Sequence, residues 1–572
     1  MAPGARRTRC RTELGFLAMI GVIADTADHE VVREFFELFK TPWEFFREDN
    51  RYDVLLCSGD YELKPAAKLV VIYAGSSTRH DGEQGSSRRA KPEGNCFLVS
   101  GKDRIPIYGS SITFAARTEC LLKDENCPEC VAYLDREGDT TRARIGYNLF
   151  DEIRTLLTVG QPAFNAGIPT LELHISLLRD LITGCGISLV EIPPVPEGFR
   201  FIACLTHDVD HPSIRRQKLD HTIIGFLLRA TLGSCVDAAL RRMSIRNAIK
   251  NWAAAICLPF IYLGLAKDYW LDFDDRYLEI EEGLPSTFFL IPWKNYPGKR
   301  LEGSAPALRS VRYEAKDLVD SISKLSANGR EIGLHGIDAW IDSAAGRDEL
   351  HSIRRLTAEP EIGVRMHWLY HDENSPRILE QAGASYDSTI GYNGTVGFRA
   401  GTTQAFKPLG VQFLLELPLH AMDTALFYLS YLGLSPQKAG VRLRQLVDNV
   451  IQHGGCLTIN WHDRSLAPER FWDAPYRELL ENMKSRGAWF ATAGQTVSWF
   501  RMRRSATFEV DADGHQSVHV NLAAQSENLP SLRLRTYKQK LEVVESPKSR
   551  ARFLDSPIRE SRKMALSLGT KV

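Results

Sequence analysis

Between residues 200 and 500 short apolar runs recur: FIACL, STFFLIP, EIGLH, GVRMHW, SYDSTIG, LLELPL, CLTINW and AWFATA. The stretches between them carry apolar residues at helical spacing. Strands alternating with helices predict parallel βα units, and seven or eight such units predict a closed or nearly closed barrel. The first two runs stand much further apart than one crossover needs, so residues 213–280 read as a helical insertion. Upstream, residues 40–195 read as a mixed α/β domain. YDVLLC, KLVVIYAG and RIPIYGS are strand-like there, and NLFDEIRTLLT and TLELHISLLRDLIT have helical periodicity. The proline-rich EIPPVPEGF at 191–199 marks the boundary. After WFRMRRS, the segments ATFEVDAD, QSVHVNLAA and LRLRTY alternate like antiparallel strands and predict a small β appendage over 501–545. Residues 546–572, charged and serine-rich, predict a flexible tail.

Residues 1–39 form an amino-terminal segment in which arginines precede a short apolar core, a loose likeness to an export signal. Helical rhythm continues past it through HEVVREFFELF, which favours an integral part of the protein. Lys+Arg and Asp+Glu balance at 71 each over 572 residues, so no global charge recruits nucleic acid or an anionic membrane. The 11 cysteines are scattered, as in a reducing, cytoplasmic compartment. CPEC, at Cys127 and Cys130, has no second CxxC and reads as loop cysteines rather than a metal site. No run reaches the ~18–20 uninterrupted apolar residues of a bilayer span. The best candidate, Trp252 to Ala266, is shorter, holds Pro259 and reads as a buried or interfacial helix pair.

In a parallel barrel the chemistry sits at the carboxyl ends of the strands. Asp208 and Asp210 end the first run, and His335 ends EIGLH. Arg365 and His367 lie in GVRMHWLY, and Asp387 lies in SYDSTIGYN, with Arg399 following in GFRAG. His420 and Asp423 follow LLELPL, and His462 and Asp463 end CLTINWHD. In an extended strand, positions 208 and 210 project to one side. Such a pair can divide the work, one carboxylate coordinating a cation while the other takes a proton. Carboxylate with imidazole suits zinc and related divalent ions. For DVD alone, capping a helix or binding an arginine is the plainer explanation.

The order THDVDH, EIGLHG, VRMH, YDST, TINWHD resembles the NodB-type polysaccharide deacetylases, carbohydrate esterase family four, over roughly residues 200–500. The THDVDH and GFRAGT versions resemble a divergent branch associated with bacterial envelope or exopolysaccharide genes. The resemblance implies an incomplete (β/α) barrel that removes acyl groups, usually acetate from N-acetylated sugars, with a divalent metal. It implies Asp208 as general base, Asp210 and His335 as metal ligands, and His462 as the acid that protonates the leaving amine. Arg365 or Arg399 would hold Asp208 in place. The family's second motif, His-Ser/Thr-x-x-His, matches only at His335, since Ala339 stands four residues later. His367 is the candidate third ligand, following Arg365 where the family's Arg-x-Pro-Tyr motif falls, with Asp338 and His371 as rivals. Asp463 orients His462 only if it faces inward, and adjacent strand residues normally face apart. Trp340, Trp368 and Trp461 stand beside these positions, where they either meet a sugar ring or pack the core. A carbohydrate is thus the expected substrate, within a polysaccharide synthesis machinery. Hydrolysis of a non-sugar C–N bond is one alternative. A non-catalytic carbohydrate-binding or scaffold role, favoured by the missing histidine, is the other.

Overall fold

A computed structural model describes residues 9–14, 18–61, 67–79, 81, 86–89, 96–101, 103–114, 120–126, 129–217, 221–357, 359–510, 516–521, 529–537 and 553–558. Two compact units divide the chain: residues 161–168 with 199–497, and residues 1–160 with 169–198 and 498–572.

The first of these is built on seven strands. They are β1 (Phe201–Val209), β2 (Thr287–Leu290), β3 (Glu331–Gly336), β4 (Val364–Met366), β5 (Ala421–Met422), β6 (Cys456–Asn460) and β7 (Ala488–Ala491). All pair in parallel, in the order β4-β3-β2-β1-β6-β5, and β7 joins the amino-terminal half of β1. Single parallel bridges, Val364 to Asp387 and Asp387 to Glu416, carry the curvature past β4 and make the sheet a partial barrel. β1 is buried along its whole length, as a strand covered on both faces must be. Its period of two sends Phe201, Ala203 and Leu205 into the apolar core, together with Phe288 and Leu334 of the neighbouring strands. Thr206 and Asp208 point to the opposite face, where both meet the Arg365 guanidinium.

Residues 161–168 join this unit through a close approach. Phe398 N donates to the Ala166 carbonyl at 2.7 Å, next to Gly397 with φ of +149°. A Cβ at position 397 would lie 1.9 Å from that oxygen, so only glycine fits. The insertion is helical, with Ile245–Tyr262 as its longest regular helix. Thr222–Ala239 is a helix long and apolar enough, by length and composition, to cross a bilayer. Arg229 and Asp237 interrupt its apolar run, so no uninterrupted apolar stretch of that length is present.

The second unit centres on an eleven-stranded mixed sheet. Trp43–Phe45, Ile20–Ile23, Val54–Ser58, Leu69–Tyr73 and Thr140–Ile145 pair in parallel, and Cys130–Glu137 begins an antiparallel extension. Ile20–Ile23 lies between two partners, so part of the apolar core of the segment 1–39 is an internal strand. Cys120 and Cys130 lie on paired strands rather than in a loop, and Cys127 lies outside the described residues. Nor do the described residues of the appendage and of the tail (553–558) stand apart, the rest of the predicted tail lying outside the described residues. Gln516–Asn521 pairs with Arg9–Leu14 and Thr507–Val510, while Arg533–Tyr537 pairs with Leu189–Glu191 and Phe553–Pro557. Within the strand Phe553–Pro557, Asp555 is answered across the strands by Arg535 at 2.8 Å and Arg533 at 3.2 Å.

Candidate active site

At the carboxyl end of β1, Asp208 is buried and held from two sides. Its Oδ1 accepts from Arg365 Nη1 at 3.1 Å and its Oδ2 from Asn460 Nδ2 at 2.7 Å. Asn460 also accepts from the Asp208 backbone N–H at 3.0 Å, so the end of β6 fixes both main chain and carboxylate. The same arginine donates to Thr206 and to Ser388, which locks the fork between three elements. Arg399 takes no part in this. Its guanidinium donates to the Gly391 carbonyl at 2.9 Å, so of the two arginines Arg365 is the one at Asp208.

Two residues on, Asp210 turns the same way and meets three imidazoles. His335 Nε2 lies 3.4 Å and His367 Nε2 3.7 Å from its Oδ1, and His462 Nε2 lies 3.8 Å from its Oδ2. Oδ1 is buried and no well-aligned hydrogen bond reaches it, a costly state for a carboxylate oxygen. A cation would resolve that cost, and the donor set has the right size for one. Tetrahedral zinc bonds of about 2.0–2.1 Å set ligand atoms about 3.4 Å apart. Asp210, His335 and His367 offer one ligand atom each, all within 4.8 Å of one another. His335 Nδ1 faces the Arg365 carbonyl at 2.9 Å, and a carbonyl only accepts, so the lone pair is left on Nε2 toward the site.

Backbone geometry aims His367. Just past β4, Trp368 and Leu369 adopt φ of +62° and +53°, a left-handed turn that brings the His367 ring to 5.0 Å from that of His335. Arg309 clamps the turn by donating to the His367 carbonyl at 2.9 Å. Burial holds the His367 imidazole well below its ordinary pKa, which keeps it neutral and able to ligate. Burial works the other way on Asp210, but the surrounding imidazoles outweigh it and hold the carboxyl well below the usual range.

The rival ligands are occupied elsewhere. Asp338 accepts from Tyr296 Oη at 2.5 Å and from the Lys299 N–H at 2.7 Å, and His371 Nδ1 pairs with the Leu369 carbonyl at 3.0 Å. Ala339, where a second motif histidine would stand, is fully buried and packs against Gly346.

His462, just past β6, is oriented by Asp423, which begins the short helix after β5. Nδ1 lies 2.6 Å from Asp423 Oδ1, and the His462 N–H donates to Oδ2 at 2.7 Å. Burial would lower the imidazole, but the Asp423 carboxylate dominates and pushes it up to about 10. It is therefore an imidazolium whose Nε2 proton faces the site. Asp463 does not orient it. Asp463 accepts from the His211 N–H at 2.9 Å, and burial pushes its carboxyl up to about 6. Asp423 was visible as a strand-end acid, but its partner was not.

Of the tryptophans, Trp340 and Trp461 are buried and pack on Tyr370 and Tyr476. Trp368, 39% exposed, stands edge-on to His367 with ring centroids 5.9 Å apart.

No protein-family model and no curated protein sequence matches the chain. Among solved structures it is similar to a protein described as a polysaccharide deacetylase from Mycobacterium smegmatis, at 18% identity over 54% of this chain and 94% of that one, with TM-score 0.34. A second protein so described, from Pseudomonas aeruginosa PAO1, matches at 16% identity over 54% and 95%, with TM-score 0.34. The catalytic domain of a peptidoglycan N-acetylglucosamine deacetylase from Eubacterium rectale matches at 12% identity over 53% and 93%, with TM-score 0.24.

Proposed function

We propose that this chain is a metal-dependent hydrolase that removes an acyl group, acetate first, from an N-acylated carbohydrate. One observation carries the reading. An under-satisfied buried Asp210 oxygen is flanked by two histidine Nε2 atoms, with a separately braced carboxylate on one side and a charged imidazole on the other. Asp210, His335 and His367 would hold the ion, and zinc suits two imidazoles and a carboxylate. When bound, it polarises the acyl carbonyl and acidifies the attacking water.

The chain's own groups supply the proton transfers. Asp208 Oδ2 lies 3.9 Å from His335 Nε2, next to the ligand cluster. Arg365 and Asn460 fix its orientation, and it takes the proton of the attacking water. His462 gives the Nε2 proton to the departing nitrogen, and Asp423 stabilises the imidazolium beforehand. Trp368 offers an aromatic face to a sugar ring at the mouth. The absent second motif histidine spoke for a non-catalytic role, and the position of His367 beside Asp210 supports catalysis instead.

The test is acetate release by the purified, zinc- or cobalt-loaded protein from N-acetylated oligosaccharides and from small non-sugar amides. Release from the sugars alone supports the proposal. Release from the amides alone shifts the substrate class, and release from neither, with metal bound, overturns the hydrolase reading.

A further inference from the structure

The helical insertion packs part of its surface into a core around Phe226, Ala254, Leu258, Ile261 and Trp270. Its outer surface is apolar as well. On Ile245–Tyr262 and the residue beyond, Ile245, Ile249, Trp252, Ile256, Phe260 and Leu263 follow one another at helical spacing and are 41% to 73% exposed. On Thr222–Ala239 and the residue beyond, Ile224, Leu228, Leu232, Val236 and Leu240 repeat every fourth position, each more than half exposed. Single exposed apolar residues are ordinary, but two exposed apolar stripes on neighbouring helices mark a surface that something covers.

Charge selects what covers it. Arg241, Arg242 and Arg246 lie at or beside the turn where the two helices meet, all exposed. From His221 to Lys267 the only acid is Asp237. A second copy of this chain would bring the same basic tip, with no acid on either stripe to answer it. Anionic headgroups above acyl chains answer both features at once. The inner surface is committed to protein, which argues for a seat on the bilayer surface rather than a full span. Arg229 pairs with Glu469 at 2.5 Å, and Asn251 accepts from the Glu469 N–H at 2.6 Å.

We propose that this hairpin docks the protein onto the surface of an anionic lipid bilayer. The stripes lie in the interface, and the arginine tip lies among the headgroups. Glu469 belongs to the segment that follows His462, and so does Arg464, whose guanidinium lies 4.5 Å over the Trp270 ring. The docked element is thus tied to the segment that begins with the proposed acid.

Sedimentation of the full-length protein with vesicles tests this. It should bind vesicles of mixed phosphatidylglycerol and phosphatidylcholine, bind pure phosphatidylcholine far more weakly, and release in high salt. The double variant Ile256→Glu, Phe260→Glu alters exposed positions only. It should lose vesicle binding while keeping its circular dichroism and melting temperature. Arg241→Ala with Arg246→Ala should weaken binding about 25-fold, at about five-fold per cation removed, and decides the matter alone if the first variant misfolds. Wild-type protein that ignores the anionic vesicles overturns the proposal, as does binding that both variants leave intact. So does a wild-type dimer, seen by light scattering, that the glutamates convert to monomer without any vesicle binding.

Discussion

Replacing His367 by alanine removes one of the three side chains that converge on the Asp210 oxygen. It leaves that carboxylate and His335, two protein groups where a retained ion needs three or four. For the wild-type protein, a metal present at about 100 times its dissociation constant stabilises the fold by about 2.7 kcal/mol. The barrel unit has roughly 300 residues, so its unfolding entropy is about 0.6 kcal/mol/K at ~2.1 cal/mol/K per residue. The gain should therefore appear as a rise of ~4 °C in melting temperature. His367→Ala also leaves a small void, which lowers the starting Tm, so the quantity to read is the metal-induced difference. Calorimetry of chelator-stripped protein, with and without zinc or cobalt, is paired with bound-metal analysis by mass spectrometry. Wild type should show the rise and one equivalent of metal, and His367→Ala should show neither. His371→Ala and Asp338→Ala should retain both, because those side chains are hydrogen-bonded away from the cluster. A full equivalent and an undiminished rise in His367→Ala would refute the reasoning, and so would loss of both in His371→Ala.

Four further outcomes follow from the same geometry. Asp208→Asn should abolish acetate release with near-normal metal content, whereas Asp210→Ala should lose both; equal metal loss in the two variants would contradict the division of labour. Asp423→Asn should lower kcat by about 100-fold or more through the loss of a charged His462, and an unchanged kcat would remove His462 as the acid. Trp368→Ala should raise KM for an oligosaccharide with a smaller change in kcat, and an unchanged KM argues against a sugar contact. His420 is buried with Nδ1 accepting from the Thr458 N–H at 3.1 Å, and burial presses its pKa down to about 4, below the unfolded value near 6.5. Below pH 6.5 the unfolded chain gains a proton that the folded chain refuses, so stability falls as pH drops toward 4, by up to about 1.4 kcal/mol per pH unit. Urea unfolding at several pH values should show that slope reduced in His420→Gln, and an identical slope would discount the residue.

Much of this architecture follows from local rules. A period-two run that ends in an ionisable residue reads as a strand with its chemistry at one end, and Asp208, Asp210, His335 and His462 are legible that way without a partner in view. The insertion at 213–280, which holds two apolar helices, was equally legible as helix, although the exposure of their outer stripes was not. Composition did not disclose the strand at 553–557. Ser-rich, charged sequence predicts a tail, and within it Phe553–Pro557 pairs with Arg533–Tyr537, where two arginines answer Asp555.

Register over long separations lay beyond the linear pattern. His335 and Arg365 are opposite each other in a parallel pair, which lets Arg365 present its carbonyl to one ligand and its guanidinium to the base. Two strained residues past β4 turn His367, rather than Asp338 or His371, toward Asp210. Asp423 reaches His462 across 39 positions, while the adjacent Asp463, past the end of β6, accepts from the His211 N–H instead. The amino-acid sequence by itself determined which strands end in acids and imidazoles, because side-chain alternation and helical spacing are properties of a few neighbouring residues. Only the tertiary structure decided which of those groups share an oxygen, because that depends on how parallel strands far apart in the chain are aligned by the packing of everything between them.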